Sequence, residues 1–312
     1  MRDIVVIGGG LSGLAAAYEL TRQGRSFTLI EVKPRLGGSI NSVHHQGFVM
    51  DSVPMYQPVR DWDFFERYLT MLELGDAYTR TPSGNVLFHE GTNVLIDTLV
   101  DQINAPVMFR MAVSTLGRLP DGRFSICMEN GMLLDANGLV VAAPARHAER
   151  IFHTLTPEIS FRLLNYRYDD LGYISFGYVD VENFVFDTIP PPDYPLTRID
   201  CVSGGARTPE NGMLLQVGLR DENQLEDPVG QIATLMRWPL NPATDWIMRW
   251  SESDPLMWRD EQHISNMDVI FNLLPGAVGL CGSDYISTGE VPRLDERIAQ
   301  GIAAARRVTS VL

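Results

Sequence analysis

The first third of the chain alternates short apolar runs with amphipathic stretches, and the alternation has a definite period. Asp3-Ile-Val-Val-Ile7 is an unbroken apolar run after a single acid, the mark of a strand covered on both faces. Residues 12–23 carry apolar positions at helical spacing, with Ala15, Ala16 and Ala17 small enough for close packing on a sheet. Phe27–Glu31 is a second buried strand, so strand, helix and strand follow within about 30 residues, the size of a βαβ unit. Beyond it the pattern predicts a strand over Gly47–Asp51, a turn at Pro54 and Pro58, and a helix over Trp62–Leu74. An extended stretch at Asn85–His89 and an amphipathic helix over Thr92–Ile103 come next. Strands are expected at Val107–Arg110, Val113–Leu119, Phe124–Met128 and Met132–Leu134, with Asp121-Gly122 and Asn130-Gly131 as hairpin signals. Leu139–Ala143 is a third fully apolar run, closed by Pro144.

Residues 151–267 differ in texture, richer in proline (Pro190, Pro191, Pro192, Pro195) and in aromatics. Strands are expected there at Tyr173–Val179, Thr197–Val202 and Met213–Leu219, with a helix over Pro228–Arg237. The end of the chain returns to the texture of its beginning, with a strand near Val278–Cys281, a glycine, an acid, and a helix from Arg293 to Val311. No internal repeat or low-complexity tract is present.

The strongest chemical signal is Gly8-Gly-Gly10-Leu11-Ser12-Gly13 between the first strand and the first helix. Gly8 makes the tight turn, Gly10 admits a diphosphate to the backbone, and Gly13 lets helix pack on strand. The free N–H groups and partial positive charge of the helix start then face the phosphates. Glu31, at the end of the next strand, is placed to accept both ribose hydroxyls and to repel a 2′-phosphate. Dinucleotide binding follows, with NADP disfavoured.

After Glu31 comes Val32-Lys33-Pro34-Arg35-Leu36-Gly37-Gly38-Ser39: two cations and a glycine pair suited to a diphosphate. Here the chain resembles the flavin-containing amine oxidase and protoporphyrinogen oxidase superfamily, in particular its short, renalase-like members. The resemblance implies FAD. It implies an α/β fold in which a discontinuous Rossmann-like FAD-binding domain (residues 1–55, 90–148 and 268–312) carries a smaller α+β substrate domain (56–89 and 149–267). Gly47–Asp51 matches the family's glycine-apolar-acid strand. Ser52-Val53-Pro54 then stands where the family runs beside the isoalloxazine, with Val53 replacing the usual glycine. Gly91–Leu95 resembles the glycine-led helix of the family. Val113 falls where a backbone contact to adenine is expected, and Leu139–Pro144, including Ala143, resembles the closing strand. Gly282 and Asp284 match the strand–glycine–acid turn near the ribityl-diphosphate. Arg293 and Leu294 open the helix whose N–H groups face flavin N1 and O2 in that family. Arg249–Pro255 resembles the stretch that precedes the last FAD block.

Catalytic side chains are not legible, and two residues stand as flavin-face candidates. Trp250 either lines the substrate face or sits in a core, and Tyr56, after the flavin-side turn, either faces substrate or packs. His44-His45 is read as a loop pair, solvated more commonly than cofactor-facing. Tyr285 is expected to be buried with a satisfied hydroxyl, and Cys281 to be a small core residue. The cysteine-bearing segment that links FAD in mitochondrial amine oxidases is missing, so non-covalent binding is expected.

Charge narrows the partners. With 25 basic and 39 acidic residues the chain carries −14, which repels phosphate backbones and anionic lipid, so nucleic acid and membrane are excluded as expected partners. Its three cysteines show neither a disulfide framework nor metal-ligand spacing, and no metal is expected; a reducing cytoplasm is. The apolar start is broken by glycines and carries Asp3 and Glu19, unlike a targeting segment. Lys33 is the sole lysine, so the lysine held near flavin N5 in many amine oxidases has no counterpart. A single glycine fingerprint argues against a dedicated domain for reduction by NAD(P)H. The expected function is a cytoplasmic FAD-dependent oxidoreductase that takes hydride from an amine or other activated C–H bond of a small organic substrate onto flavin N5. The alternatives are a redox-neutral flavoenzyme, such as an isomerase, and a non-catalytic FAD-binding protein.

Overall fold

The computed structural model describes residues 2–312 apart from 165, 167, 170, 182–185, 191–193, 195, 221–224, 249–255 and 258–260. Its first unit is β1 (Arg2–Ile7), α1 (Leu11–Arg22) and β2 (Phe27–Glu31). The two strands run parallel, from Ile4 beside Phe27 to Ile7 beside Ile30. Residues Leu11–Leu20 of α1 are all buried, which the alanines permit because a larger side chain would hold the helix off its neighbours.

A hairpin of β3 (Ser42–His45) and β4 (Phe48–Asp51) follows. His44 and His45, expected in a loop, stand on β3. Gln46 and Gly47 take positive φ (50° and 80°) and reverse the chain, which pairs His45 with Phe48 and Ser42 with Asp51. A small sheet of β5 (Gln57–Pro58), β6 (Tyr78–Arg80) and β7 (Asn85–Phe88) meets α2 (Trp62–Met71) through the Trp62 ring against Tyr78, and the N-terminus of α2 is capped by the Asp61 carboxylate accepting from Phe64 N.

Next come α3 (Asn93–Gln102), β8 (Val107–Phe109), and a meander of β9 (Val113–Arg118), β10 (Phe124–Met128) and β11 (Leu133–Val141). The two strands expected over 132–134 and 139–143 are one. The first half of β11 pairs antiparallel with β10, and its second half runs parallel to β1. Asp135, Asn137 and Gly138 interrupt the apolar run and conceal this continuity.

The remaining elements are α4 (Ala145–Phe152), α5 (Pro157–Leu163), β12 (Tyr168–Asp169), β13 (Leu171–Tyr178), β14 (Leu196–Ser203), β15 (Met213–Arg220), α6 (Pro228–Met236), β16 (Thr244–Met248), β17 (Leu256–Met257), α7 (Glu261–Leu273), β18 (Val278–Leu280) and α8 (Leu294–Thr309). In the large sheet β8, β2, β1, β11 and β18 lie side by side in parallel. One face, through Ile4, Val6 and Leu29, meets α1, α2, α3 and α8. The other, through Val5, Ile7 and Ile30, meets α4, α5 and α7. The apolar pattern does not predict these three helices. His263, Met267 and Ile270 form the buried stripe of α7, while Ile264 is exposed, so a polar residue inside and an apolar one outside blur the signal.

The second sheet is antiparallel, in the order β14-β15-β13-β16. Ile174, Phe176 and Leu215 pack on α6 and Trp238. The opposite face rests on β4 and the turn after it. At Gly177 an added Cβ would lie 2.9 Å from the Phe48 ring, so only glycine lets the sheet sit this close.

Candidate functional site

The parallel strands end at one edge, and a cleft opens there, as it does at the carboxyl ends of parallel strands generally. The cleft has a volume of about 560 Å³ and draws its walls from the Gly8–Gly13 turn, the end of β2, the 111–113 segment, the end of β11 and the 282–285 turn.

Backbone sterics shape its floor. Gly8 has φ 103°, and a Cβ there would lie 2.8 Å from the Ala142 carbonyl oxygen. At Gly13 a Cβ would be 2.0 Å from the Gly8 oxygen, so the helix can leave the strand this sharply only with glycine. The start of α1 is capped by Gly10 without a side-chain hydrogen bond, and its first turn holds no acid. Its leading N–H groups and partial positive charge are thus uncompensated by the protein. Ser12, 5% exposed, has a buried hydroxyl with no hydrogen-bond partner, and it lines the cleft.

Glu31 is held ready beside this turn. One carboxylate oxygen accepts Gly9 N at 2.6 Å and the other accepts Lys33 N at 2.8 Å. A carboxylate has about four lone-pair sites, so acceptor capacity remains for two hydroxyls. The Gly37-Gly38 turn leans onto Gly10: Gly37 N donates to Gly9 O at 2.8 Å, and a Cβ on Gly38 would lie 3.0 Å from the Gly10 Cα.

At the far end, Asp284 accepts Ala145 N and the Tyr168 hydroxyl, each at 2.8 Å, on one carboxylate oxygen. Tyr285 donates to Ala143 O at 2.6 Å and is fully buried, as expected of a satisfied core tyrosine. Burial and the neighbouring Asp284 carboxylate raise the Tyr168 hydroxyl well above its ordinary range. Arg150 pairs with Glu129 at the rim, and the Arg146 guanidinium lies 5.6 Å from the Tyr168 ring centroid.

Of the residues singled out from the sequence, Gly8, Gly10, Leu11, Ser12, Gly13, Glu31, Val32, Lys33, Gly38, Ser39, Val113, Ala143, Gly282 and Asp284 line this one cleft. Arg35, Gly37, Val53, Pro54, Arg293 and Leu294 are not among its lining. Arg35 donates instead to the carbonyls of Leu36, Gly38 and Ile40, each at 3.0 Å, because a loop of two positive-φ glycines leaves those acceptors converging on it. Leu294 is 1% exposed, within the core that includes α1 and α2. Arg293 donates its N–H to Glu296 and its guanidinium to Glu290. Tyr168, Arg146 and Arg297 also line the cleft, and neither period nor motif marks them in the sequence.

Val53 and Pro54 belong to a second constellation, where β4 meets the antiparallel sheet. Gln216 accepts Met55 N at 2.8 Å and donates to Asp51 O and Val53 O, clamping the turn. Arg207 joins Asp51 at 2.8 Å, both side chains almost wholly buried, and donates to Phe88 O at 2.7 Å. Tyr56 is half-buried; its hydroxyl donates to Cys201 O at 3.0 Å, and its own carbonyl accepts Arg198. Arg198 also pairs with Asp200, whose carboxyl burial raises above its ordinary value, with Arg198 opposing. Trp250 lies outside the described residues. Cys281 is fully buried in the main core, which pushes its thiol up to about 12.

Comparison with known proteins agrees with the geometry. Residues 6–66 match the family described as NAD(P)-binding Rossmann-like domain. Among curated proteins, the chain is 33% identical over 98 residues to the carotenoid phi-ring synthase of Chlorobaculum tepidum, covering 28% of this chain and 14% of that one. It is 38% identical over 61 residues to the L-amino-acid oxidase of Notechis scutatus scutatus, covering 19% and 12%. Over 50 residues it is 44% identical to protoporphyrinogen oxidase 2 of Arabidopsis thaliana, covering 16% and 10%. The chain therefore spans about a seventh or less of these relatives' length. Among solved structures, a chain from Exiguobacterium sp. 255-15 assigned as a protoporphyrinogen oxidase superposes with a TM-score of 0.81 at 12% identity, covering 100% of this chain and 99% of that one. Putrescine oxidase bound to putrescine gives 0.75 at 13% identity, covering 99% of each. Among the described residues no helix is long and apolar enough to cross a membrane.

Proposed function

We propose, for a chain built on a Rossmann-like unit and the fold of the protoporphyrinogen and putrescine oxidases, that it binds FAD non-covalently and acts as a flavin-dependent oxidoreductase on a small organic substrate. The observation that carries the reading is the cleft itself. An uncapped helix start, an unpartnered Ser12 hydroxyl and a carboxylate with spare acceptor sites all face one space. This donor and acceptor set fits a dinucleotide: N–H groups and a hydroxyl for the diphosphate, a carboxylate for the ribose. The Gly37-Gly38 turn pressed on Gly10 supports FAD, because it extends the diphosphate cradle beyond the first glycine turn.

FAD when bound supplies hydride acceptance at N5. The chain's own residues bind and orient it. The N–H groups at the start of α1 hold the diphosphate, Glu31 holds the ribose and rejects a 2′-phosphate, and the Gly282–Tyr285 turn walls the middle of the cofactor. The 51–56 turn, fixed by Gln216 and Arg207, separates the cleft side from the antiparallel sheet that would roof a substrate. Cys281, sealed in the core with a raised thiol, is unsuited to flavin attachment. The relatives' names divide among amine and amino-acid oxidation, porphyrinogen oxidation and carotenoid chemistry, so the reading stops at an activated C–H bond, an amine among the choices.

Purified protein reconstituted with FAD is expected to be yellow, to release intact FAD on denaturation, and to lose FAD affinity about tenfold or more in Glu31→Gln, where charge-assisted acceptance is weakened. Anaerobic mixing with amines, amino acids and porphyrinogens should bleach the flavin with one class. A colourless protein that ignores FAD ends the reading. Bound flavin that no substrate reduces, with turnover that consumes no oxidant, points to a redox-neutral enzyme instead.

A further inference from the structure

The diphosphate end of the cleft raises a charge problem. A helix start contributes roughly half an elementary charge, while a diphosphate brings about two negative charges. The cleft also holds the acids Glu31, Glu129, Glu149 and Asp284, in a chain of net charge −14. Of the two cations expected from the sequence, Lys33 lines the cleft beside Glu31, which accepts its N–H, and Arg35 gives its guanidinium to three loop carbonyls.

Arg297 answers the problem from the other end of the chain. Helix α8 crosses the first turn of α1 so closely that a Cβ on Gly301 would lie 2.2 Å from Ser12 O. Arg297 stands one helical turn before Gly301 and so on the same face of α8. That crossing carries it over the start of α1, where it lines the cleft with its Nε shielded from solvent. Ser12, the residue at the crossing, has a buried hydroxyl with no hydrogen-bond partner.

We propose that Arg297 is the cation that binds the cofactor's diphosphate, donating to phosphate oxygens shared with the N–H groups of α1 and the hydroxyl of Ser12. The assignment rests on the dinucleotide reading above, and it adds a contact from the last helix to those expected from the sequence. It makes cofactor retention depend on the docking of the last helix.

The test uses the full chain as wild type, Arg297→Met and Arg297→Lys, titrated calorimetrically with FAD, ADP and adenosine at two salt concentrations. Arg297→Met should weaken FAD and ADP by about ten- to hundredfold, the range for losing charge-assisted hydrogen bonds to an anion. Adenosine affinity should be unchanged, the salt dependence for ADP should flatten, and Arg297→Lys should recover part of the loss. Equal affinity of wild type and variants for ADP overturns the proposal, as does an equal loss for ADP and adenosine. If Arg297→Met fails to fold, Arg297→Lys against wild type decides it by the same ADP-to-adenosine ratio. A wild type that binds ADP but no flavin would overturn the FAD reading and leave Arg297 standing; one that binds neither sinks both.

Discussion

Asp51 is 1% and Arg207 2% exposed, and each reaches beyond the other. Asp51 accepts Arg207, Thr92 N, the Thr92 hydroxyl and the Ser42 hydroxyl, while Arg207 reaches Phe88 O. The pair thus ties β4, the turn before α3 and the segment after β14. Breaking such a buried pair leaves an uncompensated charge, so Arg207→Ala should lower stability by about 3–5 kcal/mol, read from the midpoint of denaturant unfolding. A loss under about 1 kcal/mol, the range of exposed pairs, would show that the pair is not a joint between the sheets. Asp200 belongs to a separate pair, with Arg198. Its carboxyl is raised above the ordinary 3.8 by burial, so the folded chain holds that proton more tightly than the unfolded one. Its contribution to stability is therefore present at low pH and lost as pH rises from the ordinary carboxylate value through the raised one.

Elements meet at glycines where two backbones approach. Where two helices meet at the cleft, α1 and α8 are in such contact, because Gly301 faces Ser12 O. Gly301→Ala should force the helices apart at a cost of about 1–3 kcal/mol, the usual range for overpacking, and weaken ADP binding in parallel, since Arg297 rides on the same helix. Thermal unfolding with and without ADP measures both; a variant with unchanged stability and affinity would show that the crossing tolerates a methyl group. At this scale the sequence is informative where period and composition agree. β1, α1, β2 and α6 lie where the pattern puts them, within a residue or two. β11 reads as two strands because Asp135, Asn137 and Gly138 occupy its middle, and α7 escapes the pattern because its apolar stripe is thin. Both elements owe their definition to neighbours: β11 to pairing partners on each side, α7 to the sheet face it covers.

The whole molecule is a parallel sheet with helices on both faces and an antiparallel sheet set against one hairpin, and the cleft takes walls from segments more than 250 residues apart in the chain. A ligand held by all of them adds its binding energy to folding. Saturation with FAD at one hundred times Kd should raise the unfolding free energy by about 2.7 kcal/mol, seen in denaturant titrations at matched protein concentration. ADP alone should give a smaller increment at the same concentration, because it engages only the diphosphate and ribose end. No increment with either would mean that the cleft is not a ligand site.

Local chemistry settles much of this before any tertiary contact is considered. Gly8, Gly10 and Gly13 between an apolar strand and a helix specify a backbone turn that other residues sterically forbid, and Glu31 lies within the same short unit. Those features are written in neighbouring residues. What Arg35, Arg207 and Arg297 do is decided only in three dimensions. A guanidinium on a long side chain can reach loop carbonyls, a buried carboxylate or a diphosphate, and which it meets depends on how α8 crosses α1 and how the second sheet seats on β4.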